Sequence, residues 1–182
     1  MLRCGLVVLV SVLVAGCGSV AGVATPAVSD RPREIRLDAV DPCALFTPAV
    51  RQALGTTRPL NPSSGGDPIY QGNVPGCGSR GEGQRWFDVA VDFALHDGIE
   101  IYRPDRVNGT LTPLRVQGFP ALVVKQDKFT DECAVIVDVA PGQLADVTYR
   151  DGGNRPRTPQ AQLCGHARQA ADLLMAELLR KH

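Results

Sequence analysis

The chain has 182 residues, of which 44% are hydrophobic, 21% charged and 5% aromatic, and its 19 basic residues balance 19 acidic ones. This length and composition fit one ordinary globular domain with a mainly aliphatic core. The zero net charge argues against a nucleic-acid-binding protein, which needs a basic face to displace the counterions of the phosphates.

The first residues predict an export signal. Arg3 precedes an uncharged apolar run from Cys4 to Ala15, which is shorter than the roughly 20 residues that a membrane-spanning helix needs. The run ends in L-V-A-G-C, which resembles a bacterial lipobox, because small residues precede a cysteine whose thiol accepts diacylglycerol. We therefore expect residues 1–16 to be a signal peptide and Cys17 to be lipidated.

Lipidation at Cys17 predicts where the protein resides. Two acyl chains, such as palmitate, are enough for stable attachment, so we expect a lipid-anchored protein on the extracytoplasmic face of the cell membrane. The alternative is a soluble secreted protein that is cleaved after Ala21 or Ala24. Small residues and prolines without a sustained period in residues 17–40 predict a flexible tether. A single folded domain is then expected over residues 41–182.

Four cysteines remain in this domain: Cys43, Cys77, Cys133 and Cys164. An even number in an exported protein favours disulfides, and four cysteines allow three pairings. We expect Cys43 to pair with Cys164, because two helices on one sheet face would bring these positions together. Cys77 would then pair with Cys133.

Hydrophobic patterning predicts a helix, a set of antiparallel strands and a second helix. Thr47 and Pro48 begin a short helix that ends at Gly55. After a long connection with at most a short strand around Cys77, strands are predicted over residues 87–95, 119–126, 133–140 and 144–150. Helical spacing predicts a long final helix that starts at Thr158 and Pro159. The expected fold is α+β, an antiparallel sheet with the short N-terminal helix and the long C-terminal helix packed on one face, and two disulfides.

The order of these features resembles an actinobacterial family of exported lipoproteins. The run D-P-C-A-L at residues 41–45, the mid-chain Cys77, Cys133 in a strand and Leu163-Cys164 opening the last helix carry the resemblance. It covers residues 41–182. The domain that this family shares has no known function, so the resemblance implies no catalytic residues.

Motifs for catalysis, cofactors or metals lack their usual context. Gly76–Gly81 matches G-x-G-x-x-G but lacks the strand and helix of a dinucleotide site. His96-Asp97 is interpreted as a solvated turn, His166 as a surface or packing residue and Asn108-Gly109 as a turn. Asp127, Asp131 and Glu132 lack the spacing of a calcium loop, and Asp88 and Asp92 are expected on the polar side of their strand. We expect no catalytic residue, no metal and no cofactor.

These observations favour a non-catalytic binding or accessory protein at the bacterial cell envelope. Its expected partners are the membrane, through the N-terminal diacylglycerol, and an envelope protein or lipid ligand, with no role for nucleic acid. One alternative is a carrier of an apolar small molecule or lipid, suggested by the apolar residues Leu173, Leu174, Met175, Leu178 and Leu179. Another is a hydrolase with an unrecognised site.

Overall fold

A seven-stranded antiparallel sheet forms the centre of the molecule. The computed structural model describes residues 30–64, 69–82 and 85–182. The strands are β1 Asn61–Ser63, β2 Gly76–Gly81, β3 Phe87–Ala94, β4 Gly109–Val116, β5 Phe119–Gln126, β6 Glu132–Ala140 and β7 Gln143–Asp151. They lie side by side in the order β1-β2-β3-β7-β6-β5-β4. Two antiparallel runs, β1 to β3 and β4 to β7, are therefore joined through the pairing of β3 with β7.

Two α-helices and two short 3-10 turns complete the described fold. The helices are α1 Pro48–Leu54 and α2 Gln160–Lys181, and the turns are Pro42–Leu45 and Ile99–Ile101. Thr47 caps α1 by accepting a hydrogen bond from the Val50 N–H, and Gly55 ends the helix with a φ of 71°, as the sequence predicts. The predicted α+β fold, with a short N-terminal helix, a long C-terminal helix and two disulfides, is confirmed.

The main core lies between α2 and one face of the sheet. The helix packs chiefly against β6 and β7, and it buries Leu163, Ala167, Leu174 and Leu178 there. Leu173 and Leu179 are partly buried against the same core. The leucine-rich end of the helix thus belongs to the protein interior.

Residues just before Asp41 belong to the folded part of the chain. Ile35 and Leu37 are only 3% and 1% exposed. The Ile35 N–H donates to the Val139 carbonyl at 2.9 Å, and the Leu37 N–H donates to the Gln143 side chain at 2.8 Å. The structure therefore corrects the boundary expected at residue 41. Two apolar residues between charged ones are too short a pattern to distinguish a packed segment from a tether.

The structure corrects the predicted pairing of cysteines. Cys43 is bonded to Cys77, and Cys133 is bonded to Cys164. The turn that contains Cys43 packs against β2, whereas the first turns of α2 lie over β6. Both helices contribute to the same core, but the turn with Cys43 lies on β2 whereas α2 lies on β6 and β7, so the first and last cysteines do not meet.

Strand β4 is absent from the sequence prediction. Asn108-Gly109 was expected to form a turn, but Gly109 is the first residue of β4. A Cβ atom on Gly109 would lie 2.0 Å from the Lys125 carbonyl oxygen, so only glycine allows this close approach of strands. The strand lies at an edge of the sheet and contains Pro113, which weakens the local β signal.

Candidate functional site

Among residues 30–64, 69–82 and 85–182, the cover on the sheet face opposite α2 lies at one end. There, Tyr70, Val74, Ile101 and Tyr102 pack over Ala94, with further apolar residues of β5, β6 and β7. Beyond this cover, β1, β2, β3 and β7 line an open groove with a volume of about 660 Å³. This volume lies in the range of small-molecule binding sites. The groove is the candidate functional site.

Small residues form the floor of the groove. Gly78 on β2 and Ala90 on β3 are register partners, and both line the groove. A Cβ atom on Gly78 would lie 3.5 Å from the Ala90 Cβ atom, so the backbone itself supplies much of the surface. A ligand can therefore approach the sheet closely at this point.

The glycine-rich motif of the sequence is part of this sheet. Gly76–Gly81 forms β2, rather than a loop that would hold phosphate. A Cβ atom at Gly76 would lie 1.8 Å from the Asp92 carboxylate, and one at Gly81 would lie 2.0 Å from the Phe87 ring. Glycine is thus required at these two positions because side chains of the neighbouring strand β3 occupy the space of a Cβ atom.

Alternating charges cross four neighbouring strands beside the floor. The register places Arg80 of β2 opposite Asp88 of β3, Asp88 opposite Arg150 of β7, and Arg150 opposite Glu132 of β6. Arg80 Nε lies 2.7 Å from Asp88 Oδ1, and Arg150 Nε lies 2.7 Å from Glu132 Oε2. Each guanidinium is therefore fixed by a carboxylate, which orients its remaining N–H donors.

Asp92 lies at the covered end of the groove. Burial raises the pKa of Asp92 to about 6, although a hydrogen bond from Ser63 and the charge of Arg150 act to lower it. Across the strands, the register partner of Asp92 is Asp146, whose carboxylate accepts hydrogen bonds from Tyr70 and Thr148. The Tyr70 hydroxyl also forms a hydrogen bond with the Tyr102 hydroxyl. Asp92 is thus a partly buried carboxyl group that still faces the groove.

Trp86 forms the opposite end of the groove, and its side chain is 45% exposed. Its backbone is fixed by Asn154, whose side chain bonds both the N–H and the carbonyl of Trp86. The Gly152 N–H donates a further hydrogen bond to the same carbonyl at 2.9 Å. The backbone that carries the exposed indole is therefore held by a frame of three hydrogen bonds.

The Asp151 carboxylate organises this frame. It accepts hydrogen bonds from the N–H groups of Gly153, Asn154 and Thr158 at 2.7 to 2.8 Å. Burial acts to raise the pKa of Asp151, but the hydrogen bonds from Thr158 and Asn154 outweigh it and hold the pKa well below its usual range. The loop after β7 is thus an ordered support for Trp86.

Arg58 forms the wall beside Trp86. Its guanidinium lies 5.9 Å from the centroid of the indole ring and pairs with Glu82, an arrangement in which the aromatic face attracts the cation. The Arg58 carbonyl accepts hydrogen bonds from Arg51 at 2.8 Å and from Ser79 at 3.0 Å. Both aromatic and cationic walls are therefore fixed in place by their backbones.

The histidines that the sequence analysis considered lie outside the groove lining. His96 is exposed, whereas the adjacent Asp97 is 4% exposed and accepts a hydrogen bond from the Gln71 N–H at 2.7 Å. Asp97 is therefore a buried residue that connects the loop after β3 to the segment around Gln71. This corrects its interpretation as part of a solvated turn. His166 is exposed on α2, and its ring stacks on Tyr149 with 5.0 Å between ring centroids.

The acidic residues near the β5–β6 turn have structural partners. The Asp131 carbonyl accepts a hydrogen bond from the Asp151 N–H at 2.7 Å, Glu132 pairs with Arg150, and Asp127 is exposed. Across residues 30–64, 69–82 and 85–182, no cluster of three or more histidine, cysteine or acidic residues could hold a metal ion. The predicted lipidation site, Cys17, and the predicted signal peptide lie outside the described residues.

The sequence predicts the polar face of β3 but not most of the groove. Asp88 and Asp92 alternate with apolar residues, so their shared face was predictable. Trp86 is the single tryptophan of the chain and lies beside a polar segment, which was the available signal for an exposed aromatic residue. Its neighbours Arg58 and Asn154 are distant in sequence, so their contribution required the tertiary structure.

Comparison with known proteins identifies a family but no activity. The family model described as "Protein of unknown function (DUF3558)" matches residues 12–177. The chain belongs to this family. No curated protein and no solved structure matches it. None of the helices that the structure describes is long and apolar enough to cross a membrane.

Proposed function

We propose that this DUF3558 protein is a non-catalytic binding protein of the bacterial cell envelope that holds a ligand in the groove between Asp92 and Trp86. The observation that carries the proposal is the groove itself. Its floor lies on paired strands, and the backbone that carries its exposed indole is held by three hydrogen bonds. Such a preorganised site loses little conformational entropy when a ligand binds.

The proposal includes attachment to the outer face of the membrane through lipid on Cys17, in an actinobacterium. The lipobox and the ordered four cysteines of the sequence support this part. Arg31, among the first described residues, pairs with Asp138 near the end of β6 that lies far from Trp86. An anchored chain would thus present the Trp86 end of the groove away from its point of attachment.

The lining favours a ligand with polar groups over a wholly apolar one. Most of the groove side chains are charged or hydrogen-bonding, including Asn61, Ser63, Arg80 and Asp88. The leucines that suggested a carrier of apolar molecules are instead packed between α2 and the sheet. An apolar ligand would have to desolvate several ion-paired groups without replacing their hydrogen bonds to water.

The geometry also favours binding without catalysis. Asp88 and Asp92 are the carboxylates that the described part of the chain contributes to the groove, and four residues along a strand place their Cα atoms about 13 Å apart. The acid and base of glycoside hydrolases are separated by about 5 to 10 Å. Together with the catalytic motifs that lack their usual context in the sequence, this spacing leads us to expect no turnover of ester, peptide, glycoside or phosphoester substrates.

The experiment is to fill the groove and measure what the protein retains. Ala90→Trp places a large ring on the floor of the groove, and Thr112→Trp places the same ring at an exposed position of β4. Each full-length protein is incubated with a bacterial envelope extract and analysed by native mass spectrometry. We expect a discrete bound mass on the wild type and on Thr112→Trp that is absent from Ala90→Trp. The proposal would be overturned if both variants retained the bound mass equally. It would also be overturned if no bound mass appeared on the wild type or on either variant.

A further inference from the structure

We infer that the groove binds an uncharged, hydroxyl-rich saccharide whose ring packs against Trp86. This inference rests on the proposed binding function and specifies its ligand class. Three features of the groove carry it: the exposed indole, the paired charges and the shallow floor.

The indole of Trp86 is presented as a flat platform. Exposure of 45% of so large an apolar side chain is unfavourable in water, yet the backbone frame of Asn154 and Gly152 keeps it at the mouth of the groove. Sugar rings have a face of C–H groups that packs well on the electron-rich face of an aromatic ring. A ring stacked there would remove indole surface from water and keep the sugar hydroxyls at its edge.

The charges of the groove favour a neutral ligand. Arg80 pairs with Asp88, and Arg150 pairs with Glu132. Arg58, at the side of Trp86, pairs with Glu82. An anionic ligand would have to compete with one of these pairs and would also face the Asp92 carboxylate.

A hydroxyl group, in contrast, can use the remaining donors and acceptors of the groove without breaking a pair. A guanidinium has five N–H donors and a carboxylate has about four acceptor sites, so one ion pair leaves several unused. Neighbouring hydroxyls on a sugar ring both donate and accept hydrogen bonds. Asn61 and Ser63 on the far wall add further neutral partners.

The floor and the sheet edges disfavour a peptide ligand. Gly78 and Ala90 give a shallow floor, whereas peptide recognition on a sheet uses pockets for alternate side chains or an open edge for backbone pairing. The edge strand β1 has three residues and includes Pro62, and the other edge strand includes Pro113. Proline removes a donor from the edge, so neither strand is suited to pairing with an extended peptide.

The test measures saccharide binding to the full-length protein. The probes are uncharged hexasaccharides of glucose, N-acetylglucosamine, mannose, galactose and arabinose, with hexagalacturonate and a mixture of decapeptides as the comparison ligands. Trp86 is the single tryptophan of the chain, so a change in tryptophan emission reports directly on the groove. We expect at least one neutral hexasaccharide to change this emission saturably and to bind by calorimetry.

Two variants locate the binding site. Trp86→Ala should weaken the binding measured by calorimetry by about tenfold or more, because it removes the stacking platform. Phe129→Ala is the matched control, because Phe129 is also a large exposed apolar residue but does not line the groove. This control should keep the affinity within about twofold.

Several results would overturn the inference. These are a lack of binding by every neutral hexasaccharide at about 5 mM, an equal loss in the two variants, or a decapeptide or hexagalacturonate that binds while the neutral saccharides do not. If Ala90→Trp abolishes retention of an envelope molecule but no saccharide binds, the ligand class is wrong and the proposed binding function remains. If Ala90→Trp changes nothing, the binding function itself fails.

Discussion

The side chain of Asn154 holds the backbone of Trp86 on both sides. Asn154 Oδ1 accepts a hydrogen bond from the Trp86 N–H at 2.9 Å, and Nδ2 donates one to the Trp86 carbonyl at 2.7 Å. The same Nδ2 donates to the Asp151 carboxylate at 2.8 Å. The polar loop between β7 and α2 thereby holds the backbone of an exposed aromatic residue that precedes β3.

Asn154→Ala should release Trp86 from this frame. The loss of these hydrogen bonds is expected to lower the free energy of unfolding by about 1 to 2 kcal/mol, because part of each bond is replaced by water. It should also lower the fluorescence anisotropy of Trp86 in the folded protein. Urea unfolding and time-resolved anisotropy measure the two effects. Asn108→Ala, at an exposed position before β4, is the control, and equal effects in both variants would contradict the role of the frame.

Asp92→Asn should stabilise the protein at neutral pH. Burial raises the pKa of Asp92 to about 6, so between about pH 4 and pH 6 the folded protein retains a proton that the unfolded chain has lost. Stability therefore falls as the pH rises through this window, and the charged carboxylate is unfavourable above it. The variant removes that charge beside Asp146 and should gain about 1 to 2 kcal/mol at pH 7.

The gain from Asp92→Asn should be largely lost at pH 4, because the carboxyl group of the folded wild type is then protonated and no buried charge remains to be removed. Urea unfolding of the wild type and the variant at pH 4 and pH 7 measures the difference. Asp88→Asn is the matched control on the same strand face. Because Asp88 pairs with Arg80, this variant should lower the free energy of unfolding at pH 7 by up to about 1 kcal/mol. A gain for Asp92→Asn that is equal at both pH values would contradict the assigned cause.

Peptide mapping without reduction should recover two linked fragments, one that joins Cys43 to Cys77 and one that joins Cys133 to Cys164. The bonds close loops of 34 and 31 residues. Each should stabilise the fold by about 3 to 4 kcal/mol through the lower entropy of the unfolded chain. Removing either bond should lower the free energy of unfolding, measured with urea, by about this amount. The variants are Cys43→Ala/Cys77→Ala and Cys133→Ala/Cys164→Ala. A fragment that joins Cys43 to Cys164 would contradict the structure.

Cys17→Ala should release the protein from the membrane fraction or leave it unprocessed, because the variant lacks the thiol that accepts diacylglycerol. Fractionation of cells followed by intact-mass measurement detects both outcomes. Cys4→Ala is a suitable control, because Cys4 lies within the predicted signal peptide and would be removed with it. A Cys17→Ala protein that remains membrane-bound with an unchanged mature mass would disprove lipidation at this residue.

The sequence by itself determined the elements whose signals are local. Thr47-Pro48 and Gly55 mark the two ends of α1, and alternation from Phe87 marks β3, because caps and side-chain periodicity act within a few residues. Local signals failed where a segment is short or lies at an edge, as in the packed residues before Asp41 and in β4.

Only the tertiary structure decided which cysteines are bonded and which residues meet in the groove. The row of Arg80, Asp88, Arg150 and Glu132 combines four strands whose neighbours and register follow from the whole sheet. Strand order and register are set by the packing of the complete core, and a shift of one residue would turn each of these side chains to the opposite face. The periodicity within a single strand contains no information about its neighbours, so the groove became visible only in the assembled sheet.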